Sequence, residues 1–502
     1  MARIGSAWHC WNILAPAART ACGCCAVCPE SLGTPRIRVT APRKSELGIV
    51  TRHALTVLAG QLATIAYGVT DTLVAGRFSE SSLAALSVGA AIYMSVYVSL
   101  MGVLQALLPV WAELHGASQR NGDRQETRAT DPAATQRLGH SLRQSIYLWA
   151  GLSLLGMTLL LTPGPLLAWA QVPEALRGEV THYLAVLALA LPVALLFRLF
   201  ATLNQSLGHP QGVTWLQLGS LGLKIPLSIW FTLGGLGLHP QGAAGCAWAT
   251  LTVQLILLSL AFWLLRTRPL YRPYQLWRRP GRPDRQVLTG FLRMGLPSGL
   301  SILVEVTSFT LMALFVARLG TAAAAAHQIA ANIAGVLYMM PLAIGIASSA
   351  RTSYWLGANQ PAQARQAVRI GLGLVAGSAL LLATLLALLR GPLAALYAPG
   401  AETRALATPL LAWVALYHLF DGLQSLGAFL LRCWRITVAP FVVYGLLLWG
   451  LGLYGGYRLA YLGLGPWPAM GTPVAFWAGG ALALALAAAS FWFMLWRVLR
   501  KT

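Results

Sequence analysis

The stretch from Gly295 to Ala350 limits most strictly what this chain can fold into. It contains two long apolar segments, separated by a few residues around Gly320. At about 1.5 Å per residue, each segment is long enough to cross a hydrocarbon core of roughly 30 Å as a helix. Glu305 lies in the middle of the first segment. Because a carboxylate within a bilayer is costly to bury, its presence indicates a function.

Segments of the same kind recur along the chain, and they predict an all-α integral membrane protein with twelve transmembrane helices. The composition agrees, because 57% of the 502 residues are hydrophobic and only 10% are charged, unlike a soluble protein. The spans are predicted near residues 53–76, 83–111, 143–163, 181–203, 213–235, 241–265, 290–319, 325–350, 367–390, 404–431, 436–460 and 472–496.

The two halves of the chain resemble each other. A shift of 241 residues brings Arg77 onto Arg318, Tyr97 onto Tyr338 and Gly116-Ala117 onto Gly357-Ala358. Six spans per half in the same orientation predict two six-helix lobes related by a pseudo-twofold axis along the membrane normal. The predicted organisation is an N-lobe over 47–265, a basic cytoplasmic linker over 266–289, and a C-lobe with a short basic tail over 290–502.

Residues 1–46 form a cysteine-rich extension, since five of the seven cysteines precede residue 29. A zinc site usually needs two ligand pairs separated by a foldable loop, and the second pair is missing from this segment. We interpret the extension as disordered or as a start assigned too early. A chain that begins near Val39 is therefore predicted to insert and function normally.

The arginines and lysines predict the orientation. With the N-terminus inside, 29 of the 36 lie in inner segments, so the positive-inside rule places both termini in the cytoplasm. The net charge of +22 does not indicate a nucleic-acid partner, because the basic residues fall in short runs between apolar spans. The expected surroundings are the lipid bilayer, and the expected state is monomeric.

Only three of the 14 acidic residues lie within predicted spans, and each has an aromatic residue four positions away. The pairs are Tyr67 with Asp71, Glu305 with Phe309, and Tyr417 with Asp421. This spacing puts both side chains on one helical face, which suits an organic cation. It also suits Na⁺ or a proton, since a low dielectric disfavours the bare carboxylate. The alternative is a packing role alone.

Lys224 also lies within a predicted span, with Ser228 on the same helical stripe. A lysine at that depth must pair, reach toward the interface or lose its proton. Asp71 is the only acid in the spans of this half, so we predict an ion pair between them. The pair is either permanent, or it changes its protonation during the functional cycle.

The chain resembles the multidrug and toxic compound extrusion (MATE) family, in particular its bacterial NorM-type branch. The segments that carry the resemblance are VTDTLVAGRF, GLPSGLSILVEVTSF, AAHQIAANI and LYHLFDGLQSLGAFLLR. The resemblance implies a multi-pass antiporter of the bacterial inner membrane that expels small cationic amphiphiles. It implies coupling to a sodium or proton gradient, with no other cofactor.

The resemblance also implies site residues. Glu305, Asp421 and Tyr417 match the cation site of the C-lobe, where Glu305 and Asp421 are candidate Na⁺ ligands, and Asp71 matches the first-span carboxylate. Lys224 and Ser228 stand where the branch often has asparagines. Because this departure disfavours a sodium site in the N-lobe, we expect any sodium to bind in the C-lobe and the Asp71–Lys224 pair to respond to protons or drug.

Two other functions remain open from the residues. A flippase for lipid-linked precursors should show a strongly cationic cavity and additional spans. A membrane-embedded enzyme should show a nucleophile or metal motif, and no such motif is found, so the chain is not expected to be an enzyme.

Overall fold

The computed structural model describes residues 45–119, 131–169, 172–235, 237, 239–398, 400–463 and 468–501. The cysteine-rich extension and the alternative start near Val39 lie outside these residues. Within the described part of the chain, twelve helices are long and apolar enough to cross a membrane, which confirms the predicted number.

We number these helices span 1 to span 12 in chain order. Their bounds are Glu46–Phe78, Glu80–Ser118, Pro132–Leu161, Glu174–Ser206, Gln211–Leu233, Ala243–Thr267, Arg285–Ala317, Thr321–Gly357, Pro361–Tyr397, Ala401–Cys433, Val438–Leu462 and Val474–Leu499. Most exceed the length predicted from hydropathy, because polar first and last turns extend them beyond the apolar segment.

Capping residues explain where several spans begin. Span 7 starts at Arg285 because the Asp284 carboxylate accepts hydrogen bonds from the backbone amides of Gln286 and Val287, at 3.0 and 3.3 Å. Asp131 does the same for span 3, where Pro132 occupies the first helical position. These caps satisfy amides that have no partner inside the helix.

Span 11 departs from regular helical geometry. It begins as an α-helix over Val438–Tyr444 and continues as π-helix over Gly445–Gly455 and Arg458–Leu462. Glycines on this segment let the backbone approach span 12 closely: a Cβ on Gly456 would lie 3.0 Å from the Phe476 Cα. Hydropathy alone could not predict this wider winding.

The pairing of spans reveals the symmetry. Span 2 packs against span 4 and span 8 against span 10; span 4 packs against span 6 and span 10 against span 12. Across the halves, span 1 packs against span 8 and span 2 against span 7. Exchanging each span with the one six places later maps every pair onto another. The two six-helix lobes and their pseudo-twofold relation are therefore confirmed.

The lobes are held together at one end, which we call the linker side because spans 6 and 7 are joined there. Gly116 and Gly357, the repeat-related glycines of spans 2 and 8, sit at this crossing. A Cβ on Gly116 would lie 1.9 Å from the Tyr354 carbonyl oxygen, and one on Gly357 would lie 1.8 Å from the Glu113 carbonyl oxygen. Only glycine permits so close a contact.

Two ion pairs join the lobes at the same end. Arg351 of span 8 forms a two-pronged pair with Glu46 of span 1, including a 3.1 Å bond from Nε to Oε2. Arg435 Nη2 lies 3.0 Å from Glu113 Oε2. The linker side is thus closed by backbone contact and by charge.

Candidate functional site

The predicted N-lobe pair lies between spans 1 and 5. The Lys224 Nζ is 2.8 Å from the Asp71 Oδ1. Lys224 is fully buried and Asp71 is 9% exposed. The two residues differ in depth along their helices, and the long lysine side chain spans that difference.

The Lys224 ammonium has two further partners, both on span 6. It donates to the Thr250 Oγ1 at 2.7 Å and to the Cys246 carbonyl oxygen at 3.0 Å. All three of its N–H groups are therefore satisfied. A carboxylate, a hydroxyl and a carbonyl are also oxygen ligands of the kind that a hard metal cation takes, so the ammonium occupies a cradle built for a cation.

Sequence reasoning missed Thr250 and Cys246. Their signal was indirect: an ammonium has three donors, and a single carboxylate rarely accepts them all. The Cys246 backbone carbonyl contributes to the cradle, and its thiol contacts the Thr232 hydroxyl at 3.2 Å.

Ser228 and Tyr67 complete the N-lobe site. The Ser228 hydroxyl donates to the Asp71 Oδ1 at 3.0 Å, so Asp71 is held by a serine as well as by the lysine. Tyr67 hydrogen-bonds through its hydroxyl to Ser220 of span 5. Its ring is therefore directed at span 5, one turn from the carboxylate that it was predicted to accompany.

The C-lobe acids lie on spans 7 and 10. Asp421 is 5% exposed, whereas Glu305 is half-buried. The Asp421 Oδ1 accepts a 2.9 Å hydrogen bond from the Gln424 amide, whose oxygen accepts one from the Tyr444 hydroxyl. Glu305 and Asp421 interact electrostatically with each other. Among the ion pairs of the described residues, none contains either acid.

Three aromatic rings pack against one another in the C-lobe, and two of them lie one helical turn from the acids. Tyr417 and Phe309, both predicted, meet edge to face with ring centroids 6.0 Å apart. Trp477 of span 12 contacts both, at 5.3 Å from Tyr417 and 6.1 Å from Phe309. Its indole also donates to His327 Nδ1 at 3.2 Å. Sequence reasoning missed Trp477, because tryptophans in spans usually mark the membrane interface.

Sequence reasoning also missed Arg432. It follows the predicted end of span 10 at residue 431, but it lies within span 10 and is 8% exposed. Its guanidinium stacks on the Phe429 ring at 4.6 Å, and its Nη1 has no hydrogen-bond partner among the described residues. Its charge interacts electrostatically with Glu305, although the two form no ion pair among the described residues.

The ligand chemistry of the C-lobe suits a monovalent cation. In the described part of the chain, no three His, Cys, Asp or Glu side chains cluster as a transition metal would require. Two carboxylates beside an amide and tyrosine hydroxyls can instead hold Na⁺, a proton or an organic ammonium group.

Comparisons with known proteins identify relatives over most of the chain. The family model described as MatE matches residues 57–130, 133–230 and 297–457. A probable multidrug resistance protein NorM from Aromatoleum aromaticum is 36% identical over 454 residues, covering 90% of this chain and 95% of its own. The multidrug resistance protein PmpM of Pseudomonas aeruginosa is 32% identical over 463 residues, covering 91% and 93%.

A solved structure shows the same fold. The Vibrio cholerae MATE transporter VcmN in its bent form superposes with a TM-score of 0.75 at 20% identity, covering 91% of this chain and 97% of that one.

Proposed function

This chain belongs to the MatE family and is a multidrug efflux transporter, and we propose that it exports small cationic amphiphiles in exchange for Na⁺ or H⁺ bound in the C-lobe. The observation that carries the proposal is the pair Glu305 and Asp421: two neighbouring acids in one lobe that form no ion pair among the described residues and lie one helical turn from the packed rings of Phe309 and Tyr417. The relatives are named as resistance proteins, which agrees with the expectation that the chain is not an enzyme.

The chemistry of exchange follows from repulsion. Two carboxylates that share a low-dielectric site cannot both remain ionised without a bound cation, so one cation must neutralise part of their charge. A proton or Na⁺ does so in one half of the cycle, and a drug cation stacked on Tyr417 and Trp477 does so in the other. Because the coupling ion and the drug cation compete for the same two carboxylates, binding of one favours release of the other.

The membrane orientation proposed from the arginines indicates which state of the transport cycle this structure represents. If the linker side faces the cytoplasm of a bacterial inner membrane, the glycine crossing and the two ion pairs close the cytoplasmic end. We therefore assign the structure to the outward-facing half of the cycle, with residues 47–265 and 290–502 as the two bodies that rock against each other in a monomer.

The test is export of a fluorescent organic cation, measured as its uptake into inverted membrane vesicles, with sodium and proton gradients imposed separately. Glu305→Gln and Asp421→Asn should each abolish gradient-driven efflux while the protein still inserts. Glu402→Gln, which removes an exposed acid from the first turn of span 10, is the matched control and should transport normally. Efflux at the parent rate in either site variant would remove that residue from the mechanism.

A further inference from the structure

An apolar groove opens on the lateral surface of the N-lobe, away from both cation sites. It has a volume of about 210 Å³ and lies between spans 3, 4 and 6, beneath the linker. Its walls are aliphatic and aromatic side chains, among them Leu196, Leu199, Leu258 and Phe262. A groove of this composition on a membrane-facing surface suits an acyl chain.

The mouth of the groove carries positive charge. Arg143 of span 3 and Arg278 of the linker both line it. Arg266 lies just beyond, with its guanidinium 5.8 Å from the centroid of the Trp277 ring, which is itself 52% exposed. In the described part of the chain, neither Arg143 nor Arg278 has an ion-pair partner. Two guanidinium groups above an apolar groove suit a phosphate joined to a hydrocarbon tail.

The linker that roofs the groove is fastened to the N-lobe. The Gln144 amide donates to the carbonyl oxygens of Pro280 and Arg282, each at 3.0 Å, and its oxygen accepts from the Asp284 amide at 2.9 Å. The Arg143 Nη1 donates to the Tyr274 and Gln275 carbonyls at 3.3 and 3.2 Å. The mouth is therefore part of a fixed surface that leads directly into span 7.

We propose that this groove binds one anionic phospholipid, with an acyl chain between spans 4 and 6 and its phosphate at Arg143 and Arg278. Charge decides between the candidates for this site. An organic cation would meet only positive side chains at the mouth, and a zwitterionic lipid would bring a choline group beside the guanidinium groups. The bound lipid would stabilise the contact between the linker and span 3.

The experiment titrates the full-length protein in neutral detergent with dioleoyl phosphatidylglycerol or dioleoyl phosphatidylcholine. Native mass spectrometry counts the bound lipid, and the melting temperature reports stabilisation. We expect one phosphatidylglycerol to bind, to weaken with added salt and to raise the melting temperature. Phosphatidylcholine at the same concentration should neither bind nor raise the melting temperature.

Two variants probe the charge and the groove. Arg278→Gln should weaken binding about 5-fold, and Leu196→Trp should block the acyl chain. Their matched controls are Arg279→Gln, the neighbouring exposed arginine outside the groove, and Leu388→Trp, at a leucine that is 75% exposed on span 9. Both controls should bind like the parent.

Three results would overturn the proposal: equal binding of phosphatidylcholine, equal loss of binding in Arg278→Gln and Arg279→Gln, or displacement of the lipid by inorganic phosphate at equal concentration. Transport plays no part in these readouts, so they stand or fall independently of the proposed exchange reaction.

Discussion

The two lobes share a helix arrangement but differ in how they handle charge. Of the acids predicted to lie within spans, the N-lobe holds Asp71, which is paired with Lys224. The C-lobe holds Glu305 and Asp421, and neither forms an ion pair among the described residues. Under the 241-residue shift, Glu305 falls on Thr64 and Asp71 falls on Met312. Neither acid therefore has an acidic counterpart in the other repeat, and the symmetry of the backbone does not extend to the sites.

One feature is common to both lobes. Tyr97 interacts electrostatically with the buried Arg198 of span 4, and its repeat partner Tyr338 interacts with the buried Arg432 of span 10. Since a buried guanidinium accompanies the tyrosine in each lobe, it cannot be what distinguishes them. The difference is Lys224, a cation carried by the N-lobe itself. We infer from this difference that an exchangeable cation is needed only in the C-lobe.

The largest effect on stability is expected from removing the N-lobe cation. Lys224→Met would leave Asp71 buried without its charge partner, which typically costs about 3–5 kcal/mol. The double variant Lys224→Met/Asp71→Asn should recover much of that loss. Melting of the purified proteins in detergent measures both. Equal melting temperatures for Lys224→Met and the parent would show that the pair does not stabilise the N-lobe.

A large effect on the transport cycle is expected at the lobe crossing. Gly116→Ala or Gly357→Ala would force spans 2 and 8 apart on the linker side, because the new methyl group would overlap a backbone carbonyl. We expect increased accessibility of a cysteine placed on the linker side and reduced efflux. Gly373→Ala in span 9, where a Cβ would meet nothing within 4 Å, is the control. Unchanged labelling in both Gly116→Ala and Gly357→Ala would contradict the closed state.

A smaller effect is expected from the aromatic cluster. Tyr417→Ala should raise the apparent KM for a cationic substrate about 10-fold, because a desolvated cation–π contact contributes roughly 1–2 kcal/mol. Tyr417→Phe keeps the ring and should change it only slightly. Efflux rates against substrate concentration distinguish these outcomes. A larger defect in Tyr417→Phe than in Tyr417→Ala would assign the function to the hydroxyl rather than the ring.

The smallest effect is expected outside the membrane. Asp284 caps span 7, and its pKa is held below the usual range by the hydrogen bond to His140 and by the Val287 amide. A lowered folded-state pKa stabilises the protein above the unfolded value, near pH 4, and this stabilisation is lost as the pH falls further. Melting curves of Asp284→Asn should therefore differ slightly from the parent at neutral pH and converge with it in acid.

The internal repeat was sufficient to predict the two lobes. Hydropathy was sufficient to predict twelve spans, because a membrane helix must satisfy its backbone hydrogen bonds internally and present apolar side chains to the lipid. Hydropathy was also sufficient to single out Asp71, Glu305, Asp421 and Lys224, since charges at that depth are rare. Their roles remain predictions.

The remaining parts of the sites depend on tertiary contacts. The Cys246 carbonyl is a backbone atom with no sequence signature, and Trp477 approaches the Tyr417 and Phe309 rings from a span far along the chain. Arg432 resembles any arginine at a helix end until packing buries it. The linker gave no helical or apolar signal, and its contacts with span 3 depend on Gln144 and Tyr147, polar residues of an otherwise ordinary span.

We propose that the Lys224 ammonium occupies the position that a metal ion would otherwise take in the N-lobe. The most direct measurement is efflux against sodium concentration for the parent, Lys224→Asn, Asp71→Asn and the double variant. We predict that Lys224→Asn gains a sodium dependence in addition to any that the parent shows, because Asp71, Thr250 and the Cys246 carbonyl then present their oxygens to an empty cradle, and that the double variant loses it again. If Lys224→Asn keeps the parent's sodium curve, and the separate losses of the two single variants simply add in the double variant, the two residues are uncoupled and the claim is wrong.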